Sequence, residues 1–388
     1  MFSDSYLPIL NGVSVSVDAL VNELRHRGHS VHLYVPRCPN HQDSDPNTFR
    51  FQAVRTIWAP QYPLAIPPFY KMLLHFRKHQ YDLIHTHTPF ATGLVGLRWA
   101  ESHELPIVST YHTLYDRYAH YLRFFPLRYA RFRVAKHTNF YYNSVNHVIT
   151  PSEASLKWLR RHSVSTPVSI VPTGLRTRTF INRSEVRAEL GIPRDQQIML
   201  YVGRLAREKN LPLLFETAAK VFSARPTARL WLVGDGPYRE RLTMQARELG
   251  VGDRVKFVGA VDREEVDRFY AAADLFVFPS VTETQGLVVQ EAMSHGLPAV
   301  AVTGGGASAS IQDHSNGFVV KDLPDPFADA ILTILSNPDL RLSMSENAQI
   351  TVKELGVPQM VDSILDVYGQ VLTNRTEVTP MNRNYVVA

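Results

Sequence analysis

Along nearly the whole chain, short unbroken apolar runs alternate with longer runs in which apolar residues recur every three to four positions. Runs of the first kind read as buried strands, and those of the second as helices with one inward face. Interleaved in this way, they predict an α/β architecture built on parallel sheets. In the first half, residues 31–35, 83–85, 107–110, 147–149 and 168–171 read as strands. Residues 13–27 read as a helix: Val17, Leu20, Val21 and Leu24 share one face, and Gly28 supplies a stop. A second series of strands follows at 198–202, 230–233, 255–258, 275–278, 299–302 and 318–320, separated by helical runs such as 238–249 and 264–272. Between the series, residues 172–194 are polar and broken by Pro and Gly, which predicts a hinge. The expected fold is two doubly wound parallel sheets facing across a cleft where strand carboxyl ends meet. The expected domains are 1–175 and 176–355, then a helix over 356–374 returning to the first domain and a tail over 375–388. The wider segment 325–372 is predicted helical and expected to pack across both halves. The opening residues, Met1 to Pro8, read as the end of a strand without its body, so a truncated first strand is expected.

Length agrees with this division, since 388 residues suit two cores of ~200 residues rather than one. A single cysteine, Cys38, excludes an internal disulfide framework and a cysteine-ligated zinc site, and it fits a reducing, cytoplasmic setting. No run approaches the ~18 uninterrupted apolar residues of a membrane span, and Asp4 interrupts the place where a signal sequence would build its apolar stretch. The charge balance is mildly basic, 41 Lys and Arg against 36 Asp and Glu, so the placement of the cations matters more than their sum.

Three segments carry candidate chemistry. In the first, a strand ends at Pro279, a turn carries Glu283, and a helix follows until Gly296 and Pro298 stop it. Glu283 and Glu291 lie eight residues apart, about two helical turns, so they are expected on a similar face. Amides at Gln285, Gly286 and Leu287 would open into the cleft and suit anions or hydroxyl oxygens. On spacing alone, a helix with an acidic first turn and a surface glutamate fits equally well. In the second segment, Gly203 and Arg204 follow a strand and Lys209 comes five residues later. A guanidinium and an ammonium converging there would neutralise a leaving diphosphate, while a solvated basic loop is the plainer alternative. The third is the Gly12 turn before the first helix, whose amides would meet the same diphosphate from the other half. No G-x-G-x-x-G occurs in that position, which argues against a dehydrogenase.

Together, Gly12, the Gly203-Arg204…Lys209-Asn210 segment, the Val233-Gly234-Asp235-Gly236-Pro237 turn, Phe257-Val258-Gly259 and the Glu283…Glu291 pair resemble glycosyltransferase family 4 over nearly the whole chain. The resemblance implies the two-Rossmann-domain fold called GT-B and a retaining, metal-independent transfer from a nucleotide sugar, with no further cofactor. By the same resemblance, Glu291 accepts from the ribose hydroxyls. Glu283, with the amides of Gly286 and Leu287, holds the donor sugar. Arg204 and Lys209 bind the diphosphate, Gly12 completes that cage, and Val261 lies by the base. His112, after the strand over 107–110, is placed beside the sugar and the reacting carbon. The implied catalytic set is His112, Arg204, Lys209 and Glu283. Departure is implied to be front-side, with the leaving phosphate oxygen taking the acceptor proton. His85 and His87 are candidates for the acceptor side.

After Asp116 no acidic residue occurs before Glu153, while Arg117, Arg123, Arg128, Arg131, Arg133 and Lys136 accumulate among aromatics. Cations and aromatics interleaved in this way suit the headgroup level of an anionic bilayer, where each basic residue contributes ~1 kcal/mol. Tyr111, Tyr115, Tyr118, Arg123, Arg128, Arg131 and Arg133 are therefore the expected acceptor and membrane residues, with Arg77-Lys78-His79 extending that face. A soluble phosphorylated acceptor and a merely solvated helix face remain open. Nucleic acid is not expected, given the donor motifs. The run from Tyr111 to Tyr121 and the opening Phe2-Ser3-Asp4-x-Tyr6-Leu7-Pro8 also resemble the diacylglycerol glucosyltransferase branch and its sulfoquinovosyl-transferring relatives. That branch implies transfer of glucose from UDP-glucose to diacylglycerol, at the inner face of the cytoplasmic membrane and without a membrane span. Alternatives are mannose transfer from a GDP donor to a phosphoinositol or other lipid, transfer to a soluble acceptor, or a non-catalytic nucleotide-sugar-binding protein.

Overall fold

A computed structural model describes residues 1–9, 11–39, 41, 43–54, 64–66, 69–115, 126–175 and 181–375. The first half contains α1 (Gly12–His26), β1 (Leu33–Pro36), β2 (Thr48–Phe51), β3 (Ala53–Val54), β4 (Leu64–Ala65), α2 (Tyr70–Phe76), β5 (Ile84–Thr86), α3 (Ala91–Ser102), β6 (Ile107–Thr110), α4 (Leu127–Asn143), β7 (His147–Thr150), α5 (Glu153–Arg161) and β8 (Val168–Ile170). The second contains α6 (Arg183–Glu189), β9 (Gln197–Val202), α7 (Pro212–Ala224), β10 (Ala228–Val233), α8 (Arg239–Glu248), β11 (Val255–Gly259), α9 (Arg263–Ala272), β12 (Leu275–Phe278), α10 (Leu287–Ser294), β13 (Ala299–Val302), β14 (Gly317–Val320), α11 (Pro324–Ser336), α12 (Pro338–Lys353) and α13 (Val357–Arg375).

In the first sheet, β5-β6-β7-β8 pair in parallel, and so do β1 and β2. The opening residues join the two groups. Phe2 bridges Tyr34 of β1 and Thr86 of β5, its amide donating to the His85 carbonyl at 2.9 Å while the Tyr34 amide donates to the Met1 carbonyl at 2.8 Å. Three residues thus hold the middle of this sheet. One face of the sheet is aromatic, with Phe2, Tyr34, Phe76, Trp99, Tyr141 and Trp158 packed under α2 to α5. The other face is aliphatic, with Val17, Leu20, Val21 and Leu24 of α1 against Val361, Ile364 and Val367 of α13. Asn11 starts α1 through a reciprocal capping box with Ser14.

The second sheet runs β11-β10-β9-β12-β13-β14, parallel throughout. Counted from β9, this is the order 3-2-1-4-5-6, whose reversal falls between β9 and β12. In sheets of this order ligands bind beyond the carboxyl ends of the two strands at the reversal, so the fold itself directs attention to the loops after Val202 and Phe278.

One expectation changes in the structure. The stretch 172–194 is not broken throughout. Asn182 caps α6, and Arg183 and Arg187 fasten it to the buried Asp274, because a charge buried at that depth requires paired cations. The segment 325–372 does pack on both halves, helix by helix. α11 and α12 bury Phe327, Ile331, Ile334, Met344 and Ala348 in the second core, and only α13 returns to the first half, where Asp362 ion-pairs Arg27 of α1.

Candidate active site

The strand-end loops of the second sheet lie against one another. The Gly203 amide donates to the Val233 carbonyl at 2.9 Å and the Gly234 amide to the Gly259 carbonyl at 2.7 Å. Gly234 has φ +126°, and a Cβ there would lie 2.2 Å from the Gly203 carbonyl oxygen, so only glycine permits the contact. On this base, Arg204 ion-pairs the buried Glu208 and Lys209 ion-pairs Glu283, which also accepts from the Ser280 hydroxyl at 3.1 Å. The Thr282 hydroxyl donates to the Glu208 carbonyl at 3.1 Å, and the Asn210 amide group donates to the Asp322 carboxylate at 2.7 Å. The loops after β9 and β12 are thereby held together at the switch point.

Glu283 lies on the turn at the mouth of the helix and Glu291 deeper within it, as expected. Gly286, at φ +74°, starts α10 at Leu287, so Glu283 stays on the preceding loop, where its carbonyl accepts from the Gly306 amide at 2.8 Å. A Cβ on Gly286 would lie 2.6 Å from Ala307 Cα, so this tight approach fixes the loop. Glu291 sits within α10 and accepts from the Tyr270 hydroxyl at 3.2 Å. Among the described residues no side chain caps α10, which leaves its amino end suited to an anion. From the first half Gly12 faces this end, since a Cβ there would lie 3.8 Å from Leu287 Cδ1. Two helix amino ends therefore meet, one from each half. Val261 follows β11 and is half-buried against the second core.

His112 comes from the first half, just beyond β6. Its carbonyl accepts from the Thr284 hydroxyl at 2.7 Å, and its Nε2 lies 3.1 Å from His87 Nδ1. Burial lowers its pKa to about 4, so the ring is neutral near pH 7. His85 turns away, its Nδ1 2.6 Å from the Tyr368 hydroxyl and its Nε2 2.7 Å from Thr110 Oγ1. His87 therefore belongs with His112, and His85 with α13.

Sequence reasoning missed the ties between the halves. The Ser152 hydroxyl donates to the Thr284 carbonyl. The Gln285 carboxamide accepts from the Thr173 amide at 2.8 Å and donates to the Thr173 carbonyl at 3.0 Å. It also donates to Gln290, which in turn donates to Ser310. Gln285 and Gln290 are both buried, and such amides are costly unless fully bonded. Their positions beside Glu283 and Gly286 were the only signal available. Asp43 and Asp45, an Asp-x-Asp pair, stand outside this group, engaged instead by Arg50 and Arg25.

The expected acceptor face divides. Tyr111 is a core residue with no exposed surface, stacked on Trp158 at 5.3 Å between ring centroids; this overturns its placement at a membrane. Tyr115 is half-buried, with its ring edge-on to Phe90 at 4.9 Å. Tyr118 and Arg123 lie outside the described residues. On α4, Arg128, Arg131, Arg133 and Lys136 are exposed beside exposed Leu127, Tyr129, Phe132 and Phe140. At helical spacing, Arg128, Phe132 and Lys136 form one stripe, with Tyr129 and Arg133 beside it. α2 lies under the same sheet face and exposes Tyr70 and Leu74, with Arg77 and Lys78 exposed just after it. None of the helices described is long and apolar enough to cross a membrane.

Two facing parallel-sheet halves, with a paired-cation loop and an uncapped helix end at the switch point, define a GT-B glycosyltransferase. Residues 10–179 match the family described as Glycosyltransferase Family 4, and residues 182–351 the one described as Glycosyl transferases group 1. The chain is 31% identical over 355 residues to an alpha-monoglucosyldiacylglycerol synthase of Streptococcus pneumoniae, covering 88% of this chain and 79% of that protein. It is 29% identical over 371 residues to a protein of the same description from Acholeplasma laidlawii, covering 91% and 92%. Among solved structures, a sucrose-phosphate synthase of Thermosynechococcus elongatus superposes with a TM-score of 0.80 at 26% identity, covering 94% of each chain. The chain belongs to glycosyltransferase family 4.

Proposed function

We propose that this glycosyltransferase moves glucose from UDP-glucose to the free hydroxyl of diacylglycerol with retention of the α configuration, while docked on an anionic membrane. The observation that carries the donor half is the meeting of Lys209 with Glu283, beside Arg204, at the amino end of α10 and opposite Gly12. In this reading the diphosphate takes over the cations and receives the α10 amides. Glu283, released from Lys209, accepts from donor-sugar hydroxyls, and Glu291 accepts from the ribose. The bond from the anomeric carbon to the diphosphate breaks and a bond to the acceptor oxygen forms on the same face. The acceptor proton passes to the leaving phosphate oxygen, so no side-chain nucleophile is required. Arg204 and Lys209 supply the positive charge, and no metal enters the scheme.

The acceptor half is supported by the exposed aromatic and basic face of α4 and by the likeness to two alpha-monoglucosyldiacylglycerol synthases. The test is a panel of UDP and GDP sugars against diacylglycerol, phosphoinositol lipid and soluble acceptors, with product mass and anomeric configuration measured. A monohexosyl diacylglycerol made from UDP-glucose, α-linked, is the expected product. A product on another acceptor, or a β-linkage, overturns this reading.

A further inference from the structure

His87 has 1% of its surface exposed, and its ring stands between those of His85 and His112, with centroids 4.2 and 5.3 Å away. Its Nδ1 is 3.1 Å from His112 Nε2, a distance that requires one proton between the two nitrogens. Burial keeps all three rings neutral, so each carries a single N–H. Two arrangements satisfy this. If His112 donates, His87 must carry its proton on Nε2. If His87 donates, its Nε2 carries a lone pair and His112 carries its proton on Nδ1. The environment of His87 Nε2 separates them: this atom is buried and has no hydrogen-bond partner among the described residues. A buried N–H donor left without an acceptor is rarer and costlier than an unused acceptor.

We propose that His87 is a positioning residue that donates from Nδ1 to His112 Nε2 and so holds His112 as the Nδ1–H tautomer, a hydrogen-bond donor toward the donor sugar. His112 then presents N–H to a sugar oxygen and has no lone pair with which to take a proton. The inference rests on the reading of His112 as a donor-site residue, but the tautomer itself can be measured without substrate.

Nitrogen-15 NMR of ring-labelled full-length protein at pH 7.5 reads it directly. The wild type is expected to show His112 protonated at Nδ1. His87→Asp, which can only accept at this position, should transfer the proton to Nε2. His87→Asn keeps an N–H near the Nδ1 position and should retain the wild-type tautomer and turnover within about threefold. His87→Leu should lower kcat on the order of tenfold, with a smaller change in the donor KM. A wild-type His112 protonated at Nε2 overturns the proposal, as does a folded His87→Leu with unchanged kcat. Should His87→Leu fail to fold, the wild-type spectrum still decides. The expected tautomer in a protein that transfers no sugar would count against the proposed function alone.

Discussion

The loop after β9 and the outer face of α4 hold the same residue types in opposite environments. In the loop two cations are each held by a carboxylate, Arg204 by Glu208 and Lys209 by Glu283, and both pairs are partly or largely shielded from solvent. On α4, Arg128, Arg131, Arg133 and Lys136 are exposed and, among the described residues, make no ion pair. Shielded, oriented charges act strongly over short distances and suit a reacting group held at one point. Exposed charges without partners act weakly one at a time, additively, and within a Debye length, which suits a charged surface. Local pairing, rather than net charge, is what separates the two sets of cations.

Replacement of single groups should break the comparison most sharply at the loop. Arg204→Ala is expected to reduce turnover about 100-fold, close to 3 kcal/mol of transition-state stabilisation, because a charge-assisted partner of the leaving diphosphate is lost. Steady-state assay of sugar transfer measures it, and a loss under fivefold would remove Arg204 from that role. Charge reversal of Arg128, Arg131 and Arg133 together should weaken binding to anionic vesicles by at least ~3 kcal/mol, while slow donor hydrolysis in solution stays within twofold. Sedimentation with vesicles of graded anionic content reads the first quantity, and unaltered binding would leave α4 a solvated helix. Glu291→Ala should raise the donor KM about tenfold with kcat little changed, since a ribose contact is present equally in ground and transition states. A last effect concerns stability rather than turnover. His112 has its folded pKa lowered to about 4 by burial, so below pH 6.5 the unfolded chain binds a proton that the folded one refuses. Its contribution is complete above pH 6.5 and declines as the pH falls toward 4, by roughly 3 kcal/mol. Wild-type stability should therefore fall more steeply than that of His112→Asn across that window in denaturant titrations.

The second sheet was legible because its strands are buried on both faces and read as unbroken apolar runs, such as 198–202 and 299–302. The short β2, β3 and β4 and the helix α2 were not foreseen, since half-exposed residues such as Thr48, Phe49, Arg50, Met72 and Leu73 carry no clear period. The strand-end loops of the second sheet stood out through their glycines and charges. The Gln285–Thr173 clamp was not, because two residues 112 positions apart gain their pairing only from the fold. Tyr111 misled for a related reason. An aromatic buried against Trp158 and one exposed on α4, such as Phe132, look alike in sequence, and only packing tells them apart. Likewise Glu291 could be placed on a helix, but the left-handed Gly286 that separates it from Glu283 was visible only as a glycine.

The most direct measurement is calorimetric titration of UDP into the wild-type protein and into Arg204→Ala, at low salt and with EDTA present. One UDP should bind per chain of the wild type, and the variant should bind at least tenfold more weakly. Absence of binding to the wild type, or equal affinity in the two proteins, would contradict a nucleotide-diphosphate site built from these loops.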